Sequence, residues 1–137
     1  TLFDLAREKP GAVLPQSLRK AEEVFPYHRA SFHMAVEAGV RIAMGTDAAV
    51  CPHGENAREL GLMVDGGMTP MQALVASTKT AAECIHADAD VGTLETGKLA
   101  DLLVVDGDPL SDISVLADKD RLLVIMQGGR AHKDLVS

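Results

Sequence analysis

At 137 residues with a formal net charge of −7, the chain is long enough for one ordinary core and too acidic to favour the phosphate backbone of nucleic acid. Apolar residues make up 47% and charged ones 24%, a globular rather than disordered balance, and one Tyr, three Phe and no Trp leave little to stack on bases. No stretch is apolar and long enough to span a bilayer, so neither nucleic acid nor membrane is expected as a partner.

The chain begins Thr1-Leu2-Phe3-Asp4, with no Met and no secretory pattern, and reads as an internal piece of a longer protein. Cys51 and Cys84 make neither a disulfide framework nor a zinc spacing. They are expected as free thiols, and a cytoplasmic location goes with them.

In chain order, residues Pro15 to Ala38 are helix-compatible, with an interruption at Pro26, which suits a first helical turn. From there Tyr27, Ala30, Ser31, Met34 and Ala38 share one face, and Gly39 sits where a left-handed C-terminal cap belongs. Val40-Arg41-Ile42-Ala43-Met44 is short, apolar and partly β-branched, as in a strand buried on both faces, and Gly45-Thr46-Asp47 ends it. A loop to Glu55 follows, containing Pro52, His53 and Gly54.

Asn56 is placed to cap a helix running to Asp65, with Glu59 three positions on, and Gly66-Gly67 stops it. Thr69-Pro70-Met71-Gln72 is a capping box with Pro at the first helical position. Met71, Leu74, Val75, Thr78, Ala82 and Ile85 form the apolar stripe behind it. Beyond His86 the period becomes that of strands. Gly92-Thr93-Leu94 is expected as a short strand and Glu95 to Lys98 as a turn. Leu102 to Val105 is expected as a buried strand and Leu122 to Met126 as another, the second leading into a Gly128-Gly129 hairpin turn. The expected organisation is an αβα part over residues 1–86 and a small β region over 87–137.

An αβα unit builds parallel sheets and (β/α)₈ barrels, in which the carboxyl ends of the strands face the active site. Asp47 is the first ionisable residue after the strand at 40–44. A carboxylate there suits a divalent cation or a proton transfer, and equally a residue that caps its own loop; strand–Gly-Thr-Asp does not choose between them. His53 is placed to meet a substrate carboxylate, and Arg58 an anionic group, although a solvated loop His and helix-face Arg need no function. His28 and His33 are five apart and share no helix face, so they are not a two-His metal site. Asp101, Asp106 and Asp108 do not reproduce a calcium loop and read as turn residues. No serine lies in a nucleophile elbow.

Ile42-Ala43-Met44-Gly45-Thr46-Asp47-Ala48 resembles the last barrel strand of the amidohydrolase superfamily. Glu59-Leu60, Gly67 to Leu74 and Ala76-Ser77-Thr78 resemble the helices that follow it. Gly92 to Leu110 is similar to that superfamily's return into its small β-sandwich. The likeness begins near Ser31 and lies with the branch holding Xaa-Pro dipeptidases, related carboxypeptidases and imidazolonepropionase. It implies an α/β chain: part of a (β/α)₈ barrel, its last strand and following helices, joined to part of a β-sandwich. It implies one or two divalent metals, usually zinc, with Asp47 as both metal ligand and proton shuttle in C–N bond hydrolysis of a dipeptide or N-acyl amino acid. The superfamily's His-x-His pair is absent here, and its ligating Lys and two further His would precede Thr1. The remaining barrel is then expected on the same precursor or on another chain, with a homo-oligomer also compatible. A non-catalytic remnant or assembly module, and a deaminase acting on a cyclic amidine, remain alternatives.

Overall fold

The computed structural model describes residues 2–47 and 53–136. Helix α1, Leu2–Glu8, turns back onto the long helix α2, Pro15–Glu37, through an edge-on contact of Phe3 with Phe25, ring centroids 5.3 Å apart. Pro26 lies inside α2 rather than at its start, so the expected interruption is absent and one helix runs through it. Proline withholds one backbone N–H there, at an exposed position where the freed carbonyl is not shut away from solvent. The end of α2 is as expected. Gly39 has φ 68°, its N–H donates to Val36 O, and that of Val40 donates to Ala35 O, which closes a Schellman motif.

Residues 40–47 form no strand among the described residues, contrary to expectation. A strand in a parallel sheet takes its ladder from neighbouring strands. Here the Met44 N–H goes instead to Ala76 O, at 3.0 Å.

Helix α3, Arg58–Asp65, is capped by a turn and not by the Asn56 side chain: the Glu59 and Leu60 N–H groups meet the Asn56 and Ala57 carbonyls. The capping box at Thr69 is formed in both directions, Thr69 Oγ1 accepting from Gln72 N–H and Gln72 Oε1 from Thr69 N–H. It starts α4, Pro70–Ser77, and Thr78 (ψ −87°) breaks the helix before α5, Lys79–Cys84. Of the expected row only Leu74 and Ala82 turn inward, joined there by Ala73 and Ala76, while Met71, Val75, Thr78 and Ile85 are exposed. Small residues win the inward positions because they let α4 lie close to α3.

Residues 92 and 93 are bends and Leu94 belongs to no regular element, so the expected strand is absent there. Strands β1, Leu102–Val105, β2, Leu122–Gln127, and β3, Arg130–Asp134, form an antiparallel sheet in that order. The β2–β3 turn is Gly128-Gly129, with φ 56° and 79°, which side chains rarely adopt, so the sequence signal for a hairpin holds. Expected as a buried strand, β1 instead leaves Leu103 and Val104 exposed. Between β1 and β2 run the 3₁₀ turns Ile113–Ala117 and Lys119–Arg121.

The core joins the two halves of the chain. Leu60 and Met63 of α3, Met68, and Ala73 and Ala76 of α4 cluster with Ile113, Val115 and Leu116 of the first 3₁₀ turn. Burial of a Leu or Met side chain stabilises by roughly 1.5–3 kcal/mol, so these contacts bind α3, α4 and the β region into one unit. Phe32 and Val36 of α2, together with Ile42 and Met44, pack against its edge.

Candidate active site

Asp47 ends the segment that leaves α2. Three tethers hold that segment: the Schellman bonds at Val40, an ion pair of Arg41 with Glu83 of α5, and the Met44 bond to the end of α4. Ile42 and Met44 face the core between them. No sequence signal links Arg41 to a residue 42 positions away.

The backbone of Asp47 has φ 47°, a left-handed conformation uncommon outside glycine but tolerated by Asp and Asn. The side chain is exposed and makes no hydrogen bond or ion pair among the described residues, so it is not consumed in capping its own turn there. Residues 48–52, with Cys51 and Pro52, lie outside the described residues.

His53 re-enters in an exposed turn. The residues just after it, Gly54, Glu55, Ala57 and Arg58, form one wall of an open concavity of about 490 Å³; Ala117, Asp118 and Lys119 form the other. Arg58 pairs with Glu55 at 3.0 Å, so it balances a neighbour's charge within that wall.

His33, Asp101, Asp108 and Asp112 have structural partners. The His33 Nδ1–H donates to Gly66 O at 3.2 Å, and Nε2 lies 3.4 Å from the Glu37 carboxylate, which joins α2 to the end of α3. Asp101 accepts the Gly128 N–H at 2.6 Å and anchors the hairpin turn. Asp108 accepts from the Ser111 hydroxyl at 2.7 Å and the Leu110 N–H at 2.9 Å; these bonds hold its carboxyl below its ordinary value. Asp112, which the sequence reading passed over, does likewise with the Ser114 hydroxyl and N–H at the start of the 3₁₀ turn. His86 takes a left-handed backbone, φ 58°, beyond α5, and His132 is exposed on β3. Cys84 is an exposed free thiol.

Among the described residues no three His, Cys, Asp or Glu side chains converge to hold a metal ion. Asp47 by itself is one ligand where such an ion needs three or more, so these residues do not by themselves fit a catalytic cation. No helix among them is long and apolar enough to cross a membrane.

Residues 3–131 match the amidohydrolase family. The chain belongs to that family. Ochratoxinase of Aspergillus niger is 34% identical over 123 residues, 88% of this chain and 25% of that protein. Imidazolonepropionase of Symbiobacterium thermophilum is 37% identical over 83 residues, 58% of this chain and 19% of that protein. Among solved structures, a Xaa-Pro dipeptidase with methionine bound in its active site superposes with TM-score 0.82 at 38% identity, over 96% of this chain and 32% of that one. The likeness therefore extends upstream of Ser31, through both α1 and α2. This amidohydrolase chain spans about a quarter of the length of the curated relatives it matches and about a third of the solved chains.

Proposed function

We propose that this chain is the C-terminal portion of a metal-dependent amidohydrolase that hydrolyses a C–N amide bond, in a dipeptide of the Xaa-Pro type or an N-acyl amino acid. In this reading residues 1–86 belong to a (β/α)₈ barrel and 87–137 to a small β-sandwich. The supporting observation is the 38% identity to the Xaa-Pro dipeptidase carried over 96% of this chain at TM-score 0.82.

Asp47 is the proposed catalytic residue. Its carboxylate takes a proton from the attacking water and gives it to the leaving amine, work that suits an exposed carboxylate with no partner among the described residues. It is also the one metal ligand assigned to this chain, the others coming from the rest of the barrel. A divalent cation, zinc by choice, would polarise the scissile carbonyl when bound. His53 is the proposed contact for a substrate carboxylate. The chain alone is then inactive, and the whole enzyme is the object to test.

In the complete enzyme, Asp47→Asn should lower kcat/KM for an Xaa-Pro dipeptide by at least about 100-fold without altering the fold. Undiminished hydrolysis by that variant would sink the assignment. A second reading, C–N hydrolysis in a cyclic substrate, draws on the imidazolonepropionase likeness and on a 5-methylthioadenosine/S-adenosylhomocysteine deaminase of Moorella thermoacetica, 35% identical over 114 residues. Parallel assays of a dipeptide and a cyclic amidine distinguish the two.

A further inference from the structure

Helix α2 carries two apolar rows, and the fold uses one. Phe25 meets Phe3, and Phe32 and Val36 pack on the core. The other row, about 140° around the helix, is Val24, Tyr27, Ser31, Met34 and Ala38. It contains no Asp, Glu, Lys, Arg or His over four turns, although α2 has such residues on its other faces. Val24, Tyr27 and Met34 are 57%, 76% and 66% exposed, and Val40, just past the C-cap, is 57% exposed. Single exposed apolar side chains are ordinary; an uncharged row at helical spacing, on a 23-residue helix with no buried residue, is not what a solvated face looks like.

The covered lengths say what lies against it. The same fold recurs over 96% of this chain within a dipeptidase of which it is 32%, and over 98% of it within a prolidase of which it is 33%. In such proteins about two-thirds of the polypeptide lies outside the matched unit, whose own core already fills its inward faces. The segment 40–47, next to the row, also has no neighbouring strand among the described residues. A second copy of the chain fits less well, since a stable dimer buries about 800 Å² per partner and three side chains on one helix supply less.

We infer that the Val24–Tyr27–Met34 row of α2, continued by Val40, is the surface on which the remaining two-thirds of an amidohydrolase barrel docks, by an apolar helix or strand face. The inference rests on the family and is independent of the chemistry assigned to Asp47.

The test is a chimera in which this chain replaces the matched third of the structurally similar Xaa-Pro dipeptidase, with a photo-crosslinking amino acid at position 27. Crosslinks should fall within one polypeptide, onto the two-thirds outside the matched unit. Crosslinks solely between polypeptides, or none, would overturn the inference in favour of a second copy or of solvent. A second measurement needs only this chain. Tyr27→Glu with Met34→Glu should reduce binding of a hydrophobic dye by about half while the helical circular dichroism is kept; unchanged dye binding overturns the inference too.

Discussion

Asp47 combines two properties that separate variants can pull apart: a carboxylate with no partner among the described residues and a left-handed backbone. Asn tolerates that backbone and removes the charge, so Asp47→Asn should melt as the parent does in thermal scans. Val has a branched Cβ that a positive φ crowds, and Asp47→Val should cost about 1–2 kcal/mol of stability besides any activity. Equal melting of the two variants would mean the backbone relaxes without cost. Asp108 and Asp112 give a pH dependence of known sign. Hydrogen bonds from Ser111 and Ser114 hold both carboxyls below the ordinary 3.8, so each contributes stability that is fully present above that value. That contribution is lost as pH falls through the lower, folded value. Asp108→Asn with Asp112→Asn should therefore flatten the fall in melting temperature below about pH 4 and leave the slope near neutrality unchanged. These turn roles are partly legible in sequence, since an Asp two or three residues before a Ser is a local pattern. The tether from Arg41 to Glu83 is not, because it joins residues 42 positions apart through tertiary packing alone.

At the level of elements, turn and cap chemistry was readable because it is local. Thr69–Gln72, Gly39 and Gly128-Gly129 act as their residue types require. Apolar periodicity was a poorer guide to what is buried. On α4 and α5 the large side chains Met71, Val75 and Ile85 stay outside while Ala73, Ala76 and Ala82 go in. Spacing marks a face as apolar but not which partner it meets, and close helix approach selects the small residues. Likewise 40–44 has the composition of a strand but needs neighbours to become one. The α2–α3 junction depends on the same closeness. A Cβ on Gly66 would lie 2.5 Å from the Phe32 ring, although the Gly66 φ of −82° suits any residue. Gly66→Ala should cost about 1–3 kcal/mol by steric conflict alone. Phe32→Leu, which clears that space, should recover part of the cost, so a double-mutant cycle should show coupling above about 0.5 kcal/mol. Additive effects would place the conflict elsewhere.

Across the whole molecule, order is unevenly supported. The buried cluster is drawn from α3, Met68, α4 and the 3₁₀ turn Ile113–Ala117, and β2 lies between two strands. By contrast α2 has no buried residue, and its first half touches little beyond α1. Amides open with free energies that follow this local support. Hydrogen exchange of the isolated chain should therefore be slowest in α3, in α4 around Ala73 and Ala76, and in β2 around Val124. It should be faster by at least about tenfold in α1 and residues 15–25 of α2, because few apolar contacts must break to expose them. Segment 40–47 should be intermediate, with Met44, whose N–H is bound to Ala76 O, slower than its neighbours. In an enzyme that includes the rest of the barrel, protection should rise most in α2 and 40–47, where apolar surface becomes covered, and least in α3 and α4, which are already packed. Uniform protection along the isolated chain would instead mean that α1 and α2 unfold only together with the core, and that the exposed row of α2 needs no partner to hold the helix.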